Sequence, residues 1–124
     1  LATTEGEEEA AELVRRALAA ARAALRPEDV SHEEDGGRLW VLAPATGRLS
    51  AGALAENAAV AVERAVTVRG APLTAAVGLA VHPADGTDAE ALVGRAEERL
   101  FAARASGERV GGTDPGEEPL GAGR

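Results

Sequence analysis

The stretch "PLTAAVGLAVHP", residues 72–83, constrains the fold more than any other part of the chain. Leu73, Ala75, Val77, Leu79 and Val81 alternate as one face of an extended strand, while Thr74, Ala76, Gly78 and Ala80 make the other face small and nearly apolar. A strand with no polar face belongs inside a sheet, with a helix laid close over its small side. Val77 and Leu79 are then expected in the core, against Leu92 and Leu100 of a following helix. That core has few large side chains to draw on, because the chain has one Trp, one Phe and no Tyr or Met. It must be assembled from Ala, Val and Leu, which bury little area per residue.

Around this strand the periodicities alternate between helix and strand. "AAELVRRALAAARAALR" places Ala10, Val14, Leu18, Ala21 and Leu25 on one helical stripe, which Pro27 ends. "DVSHEED" and "RLWVLAP" flank Gly36-Gly37 and predict a β-hairpin, since glycine admits the positive φ of a tight turn. "SAGALAENAAVAVERAV" predicts a second helix with Ser50 as N-cap and Leu54, Ala58, Val62 and Ala65 inward. A strand and a turn at Gly70-Ala71-Pro72 lead into the long strand. "TDAEALVGRAEERLFAARASG" carries a capping box at Thr87 and Glu90, a stripe of Leu92, Ala96, Leu100 and Ala103, and a closing Gly107. "ERV" adds a last short strand. Residues 1–9 and 111–124 are acidic or Gly/Pro-rich and are expected to be disordered, leaving one domain over 10–110. The fold class is α+β, an antiparallel-rich sheet covered by helices.

Charge and composition exclude several functions. Thirteen basic residues against 21 acidic ones leave a net charge of -8, the wrong sign for binding nucleic acid or an anionic membrane. There is no cysteine, hence no disulfide or thiolate chemistry. With no apolar run approaching about 18 residues and no signal-peptide pattern, a soluble cytoplasmic protein without membrane insertion is expected. His32 and His82 lack ligand spacing, and "DGTD" at 85–88 is better explained by a turn and helix cap than by a calcium loop.

The second half is similar to GGDEF domains, the diguanylate cyclases. "LTAAVGLA" at 73–80 parallels their "vTvSiGvA" strand, and "ALVGRAEERLFAAR" at 91–104 followed by Gly107 parallels their last helix. Upstream, "LRPEDV", the glycine hairpin and "WVLAP" resemble the family's helix end, signature hairpin and following strand, so the likeness covers roughly residues 10–110. It implies the ferredoxin-like nucleotide-cyclase fold, truncated at its N-terminus.

Counting back from Pro44 places the signature on Asp35-Gly36-Gly37-Arg38-Leu39. Aligning the glycines instead gives Gly36 to Trp40 with one insertion. The first register also sets Arg26-Pro27-Glu28-Asp29 at the spacing of the family's Arg-x-x-Asp product site. In the family, carboxylates of this hairpin hold Mg²⁺ for GTP cyclisation. Here those slots hold Gly37 and Arg38, or Arg38 and Leu39, and arginine cannot ligate a cation that takes oxygen donors. The resemblance also puts a phosphate-contacting lysine on Arg104 and the product site's second arginine on Asn57.

The expected function is a catalytically inactive GGDEF-like signalling domain, acting through a protein partner or as a homodimer. The alternative is a receptor for cyclic di-GMP or GTP, through Arg26, Asp29 and Arg104. The least supported is an active diguanylate cyclase, the one case in which Mg²⁺ is expected; otherwise no cofactor or metal is. Because the family's central N-terminal strand has no counterpart, the hairpin is expected to close onto the 73–81 strand or to pair with a second copy, in preference to a partly molten state.

Overall fold

The computed structural model describes residues 5–114. These form a mixed α/β structure in the order α1 (Glu5–Ala23), β1 (Val30–Glu34), β2 (Arg38–Leu42), α2 (Arg48–Ala65), β3 (Thr67–Val68), β4 (Ala71–Pro72), β5 (Val77–Gly78), α3 (Ala89–Ser106) and β6 (Val110–Gly111). They divide into two compact units. One contains the described residues up to Ala45 together with Asn57–Ala75; the other contains Thr46–Glu56 and the described residues from Ala76 onward. The units are interleaved, and α2 contributes its first part to one and its second part to the other. No helix among the described residues is long and apolar enough to cross a membrane.

In the first unit, α1 starts at Glu5, so residues 5–9 are helical where disorder was expected. Acidic side chains at a helix N-terminus complement the dipole, and that favours the early start. The helix closes at Ala23, where Ala24 and Leu25 donate to Ala21 and Arg22 in tighter i−3 bonds. β1 and β2 pair antiparallel from Val30↔Leu42 to Glu34↔Arg38, leaving Asp35-Gly36-Gly37 as the loop. Gly36 and Gly37 have φ of 88° and 85°, the conformation for which the two glycines are needed. Against Gly37 lies Val14 of α1, 3.3 Å from where a Cβ would stand. β3 and β4 form a second hairpin whose turn is Arg69-Gly70, both at positive φ, and not the expected Gly70-Ala71-Pro72. Leu73 N–H donates to the Val66 carbonyl and extends that ladder by one rung. Val66 is fully enclosed, with Val62 and Ala59 buried behind it.

In the second unit, β5 pairs parallel with β6, Val77 opposite Val110 and Gly78 opposite Gly111. Val77 N–H donates to the Arg109 carbonyl at 2.7 Å, and Leu79 N–H to that of Gly111 at 3.0 Å. The paired glycines let both strands lie directly on the backbone of α3. A Cβ on Gly78 would come within 2.8 Å of Leu100 Cα, and one on Gly111 within 3.1 Å of the Arg99 carbonyl carbon. α3 begins at an Asp88 N-cap that accepts from Ala91 N–H, in place of the expected Thr87–Glu90 box. It ends at Gly107, whose φ of 78° and bonds to the Ala103 and Arg104 carbonyls make the expected left-handed cap.

Several expectations are corrected. The long central strand over 73–81 is not formed: Leu73 only continues the β3–β4 hairpin through its bond to Val66, residues 74–76 lie in no strand, and Val77 and Gly78 alone are paired in β5. Gly78 lies directly on the α3 backbone, and the Leu79 carbonyl accepts from Arg99 of that helix; Leu79 is buried and Val77 half-buried. The strands among the described residues form three separate two-stranded sheets, not one antiparallel-rich sheet. α2 starts at Arg48, before Ser50; Val62 is buried as expected, whereas Ala55 and Ala59 are buried in place of Leu54 and Ala58. Gly111 and Gly112, expected in the disordered tail, are buried. The expected disorder of residues 1–4 and 115–124 lies outside the described residues.

Candidate functional site

The signature segment and the Arg-x-x-Asp segment both belong to the first unit. Arg26-Pro27-Glu28-Asp29 is a β-turn with proline in its favoured second position, closed by Asp29 N–H donating to the Arg26 carbonyl at 3.0 Å. The Asp29 carboxylate folds back over this turn and has no solvent-exposed surface. It accepts from the Arg26 backbone N–H at 2.8 Å, from Nη2 at 2.8 Å, and from Nε at 3.1 and 3.2 Å. Hydrogen bonding from the guanidinium holds the Asp29 carboxyl below the usual carboxylate range, against the opposing effect of burial. The same bonds raise the pKa of Arg26. The pair is thus mutually satisfied, and an anionic ligand would have to compete with Asp29 for the guanidinium.

Asp35, Gly36 and Gly37 are exposed in the loop, while Arg38 and Leu39 begin β2 half-buried. The Arg38 guanidinium stands over the Trp40 ring, 5.7 Å from its centroid, with Glu34 4.0 Å away across the rung. Among the described residues, no group of three His, Asp or Glu side chains is placed to hold a metal ion. An arginine offers no oxygen donor, so Arg38 does not fit a Mg²⁺ site.

Arg104 lies in the second unit, exposed on the last turn of α3, where its carbonyl accepts from Gly107 N–H. Asn57 is exposed on α2. The structure thus brings Arg26 and Asp29 together, whereas Arg104 belongs to the other unit.

The second unit holds a buried ionic cluster that sequence reasoning missed. Asp85, its side chain 2% exposed, accepts from Arg48 Nη2 at 2.9 and 3.0 Å, from Arg99 Nη1 at 2.8 Å and from Val81 N–H at 2.7 Å. Arg48 also donates to the Gly112 carbonyl at 2.6 Å, and Arg99 to the Leu79 carbonyl at 3.2 Å. Burial pushes the Asp85 carboxyl upward, but the hydrogen bonds from Arg99, Arg48 and Val81 outweigh it and hold the group far below the usual range. One signal pointed to this cluster: Arg99 falls between Ala96 and Ala103 on the inward stripe of α3, and an arginine there needs a buried acid.

No protein-family profile, curated protein or solved structure matches the chain. Functional inference therefore starts from these two clusters and the hairpin.

Proposed function

We propose that the chain is a catalytically silent GGDEF-like module that acts by binding, to a protein partner or to a second copy, in the cytoplasm. One observation carries this reading. The glycine hairpin keeps its turn geometry, but its metal-ligand slots hold Gly37 in the loop and Arg38, whose guanidinium is engaged with Trp40 and Glu34. Phosphoryl transfer depends on neutralising charge at the phosphates with correctly held cations. A guanidinium in that slot repels a divalent ion and donates no lone pair. The hairpin then serves as a shaped surface. The element order, helix, hairpin, helix, short hairpin, strand, helix, strand, adds support, since it follows the segments that carry the resemblance.

The test is direct. Purified protein incubated with GTP and Mg²⁺ or Mn²⁺ is expected to form no cyclic di-GMP above a blank. Product that depends on this protein would overturn the reading. Calorimetry with cyclic di-GMP and GTP is expected to give no saturable heat, because Asp29 already occupies Arg26. Saturable binding that is lost in Arg26→Gln would shift the reading to a nucleotide receptor.

A further inference from the structure

The Asp85 cluster joins three parts of the second unit at one point. Its carboxylate lies in the loop between β5 and α3, Arg48 opens α2, and Arg99 comes from the middle of α3. The two arginines continue the tie into backbone, Arg48 to the Gly112 carbonyl just past β6 and Arg99 to the Leu79 carbonyl just past β5. Two guanidiniums thus share one carboxylate and hold both strands of the β5–β6 pair onto α3. Each strand meets the helix through a glycine with no side chain to interlock, and among the described residues the buried apolar side chains of this unit are Ala55, Leu79 and Ala103. The first unit has separate means of cohesion: Val62, Val66 and Ala59 are buried there, and Asp29 is paired locally with Arg26.

We propose that Asp85 is a latch: with it in place the second unit is closed, and its release opens that unit while the first stays folded. Without the carboxylate, Arg48 and Arg99 become two buried like charges sharing a site that no longer neutralises them. Breaking a buried pair on one side is far costlier than never having formed it. Opening withdraws β5 and β6 from the Ala96–Leu100 stretch of α3, a helix that already exposes Phe101 and Val93. The latch stands independently of the GGDEF-like reading.

Amide hydrogen exchange on the full chain tests it, comparing the parent with Asp85→Asn, Arg48→Gln and Asp29→Asn. Asp85→Asn is expected to lower protection by on the order of a hundredfold or more in residues 46–56 and 76–114, leaving 57–75 and the β1–β2 hairpin unchanged. Arg48→Gln, which keeps the Asp85–Arg99 contact, is expected to give a smaller loss in the same segments. Asp29→Asn is expected to act only on the first unit. Equal loss in both units from any variant, complete unfolding of Asp85→Asn, or unaltered protection in both Asp85→Asn and Arg48→Gln would each overturn the latch.

Discussion

Replacing Gly78 by alanine adds one methyl group to the strand that rests on α3. Gly78 has no positive φ, so the backbone itself admits alanine without strain. The obstruction is the helix. The added Cβ would stand 2.8 Å from Leu100 Cα, and closer still to the Ala96 carbonyl oxygen and the Leu100 nitrogen. Carbon atoms rest comfortably at about 3.5–4.0 Å, so β5 must retreat by roughly 0.7 Å from Leu100 alone. Backbone atoms of a helix cannot swing aside as a side chain does, and the strand moves instead. Overpacking of this kind costs about 1–3 kcal/mol. The retreat also stretches the Val77–Arg109 and Leu79–Gly111 hydrogen bonds, at about 1 kcal/mol each when lost. A total near ~3 kcal/mol corresponds to a melting temperature lower by roughly 10 °C for a domain of this size. Gly94→Ala is the matched control: it lies in α3 with nothing within 4 Å of its would-be Cβ. There alanine is expected to stabilise by about 0.5–1 kcal/mol through helix propensity. Thermal melts followed by far-ultraviolet circular dichroism compare the two. If Gly78→Ala melts within a couple of degrees of the parent, the close seating of β5 on α3 is wrong.

The Asp85 and Asp29 carboxyls are both held below their unfolded value of about 3.9. Their contribution is therefore fully present above that pH and is lost as pH falls through and below it, because the unfolded chain takes up protons first. Urea midpoints are expected to hold from pH 7 to 5 and drop between pH 4 and 3, with a shallower drop in Asp85→Asn. Val66→Ala empties the largest fully enclosed side chain and is expected to cost about 2 kcal/mol by urea denaturation. Arg38→Ala removes a partly exposed cation–π contact; a stability change under about 1 kcal/mol is expected, with an altered Trp40 emission spectrum as the direct sign that the two side chains touch.

What the sequence made legible was local. The Gly36-Gly37 turn and the Gly107 cap follow from backbone conformations that only certain residues adopt, and both stand where expected. The stripe of α2 was harder, because a segment as alanine-rich as "SAGALAENAAVAVERA" shows no distinct apolar face: Val62 is buried as expected, but Ala55 and Ala59 are buried in place of Leu54 and Ala58. The strand over 73–81 was overextended for a different reason. Alternation shows that a segment can be a strand, but ladder partners decide whether it is one, and only Val77 and Gly78 have them. Arg26 and Asp29 were singled out by the resemblance, as a ligand site and not as an ion pair, whereas the Asp85 cluster joins residues 37 and 14 positions apart. Asp85 sits in a stretch that turn chemistry already explained, so nothing local marked it as a buried acid.

The interleaving of the two units bears on how such a chain can be altered by recombination. Neither unit is a contiguous stretch, since Thr46–Glu56 serves one and the residues on both sides of it serve the other. A cut after Ala75 would strand Arg48 with neither Asp85 nor Gly112 to receive its guanidinium, and a cut before Thr46 would strip Val62 and Val66 from the helix–hairpin half. A crossover at either point delivers an incomplete unit to both offspring. This architecture is therefore inherited whole, and insertions are tolerated at its exposed turns, such as Asp35-Gly36-Gly37 or Arg69-Gly70, sooner than at the seams in its contact pattern.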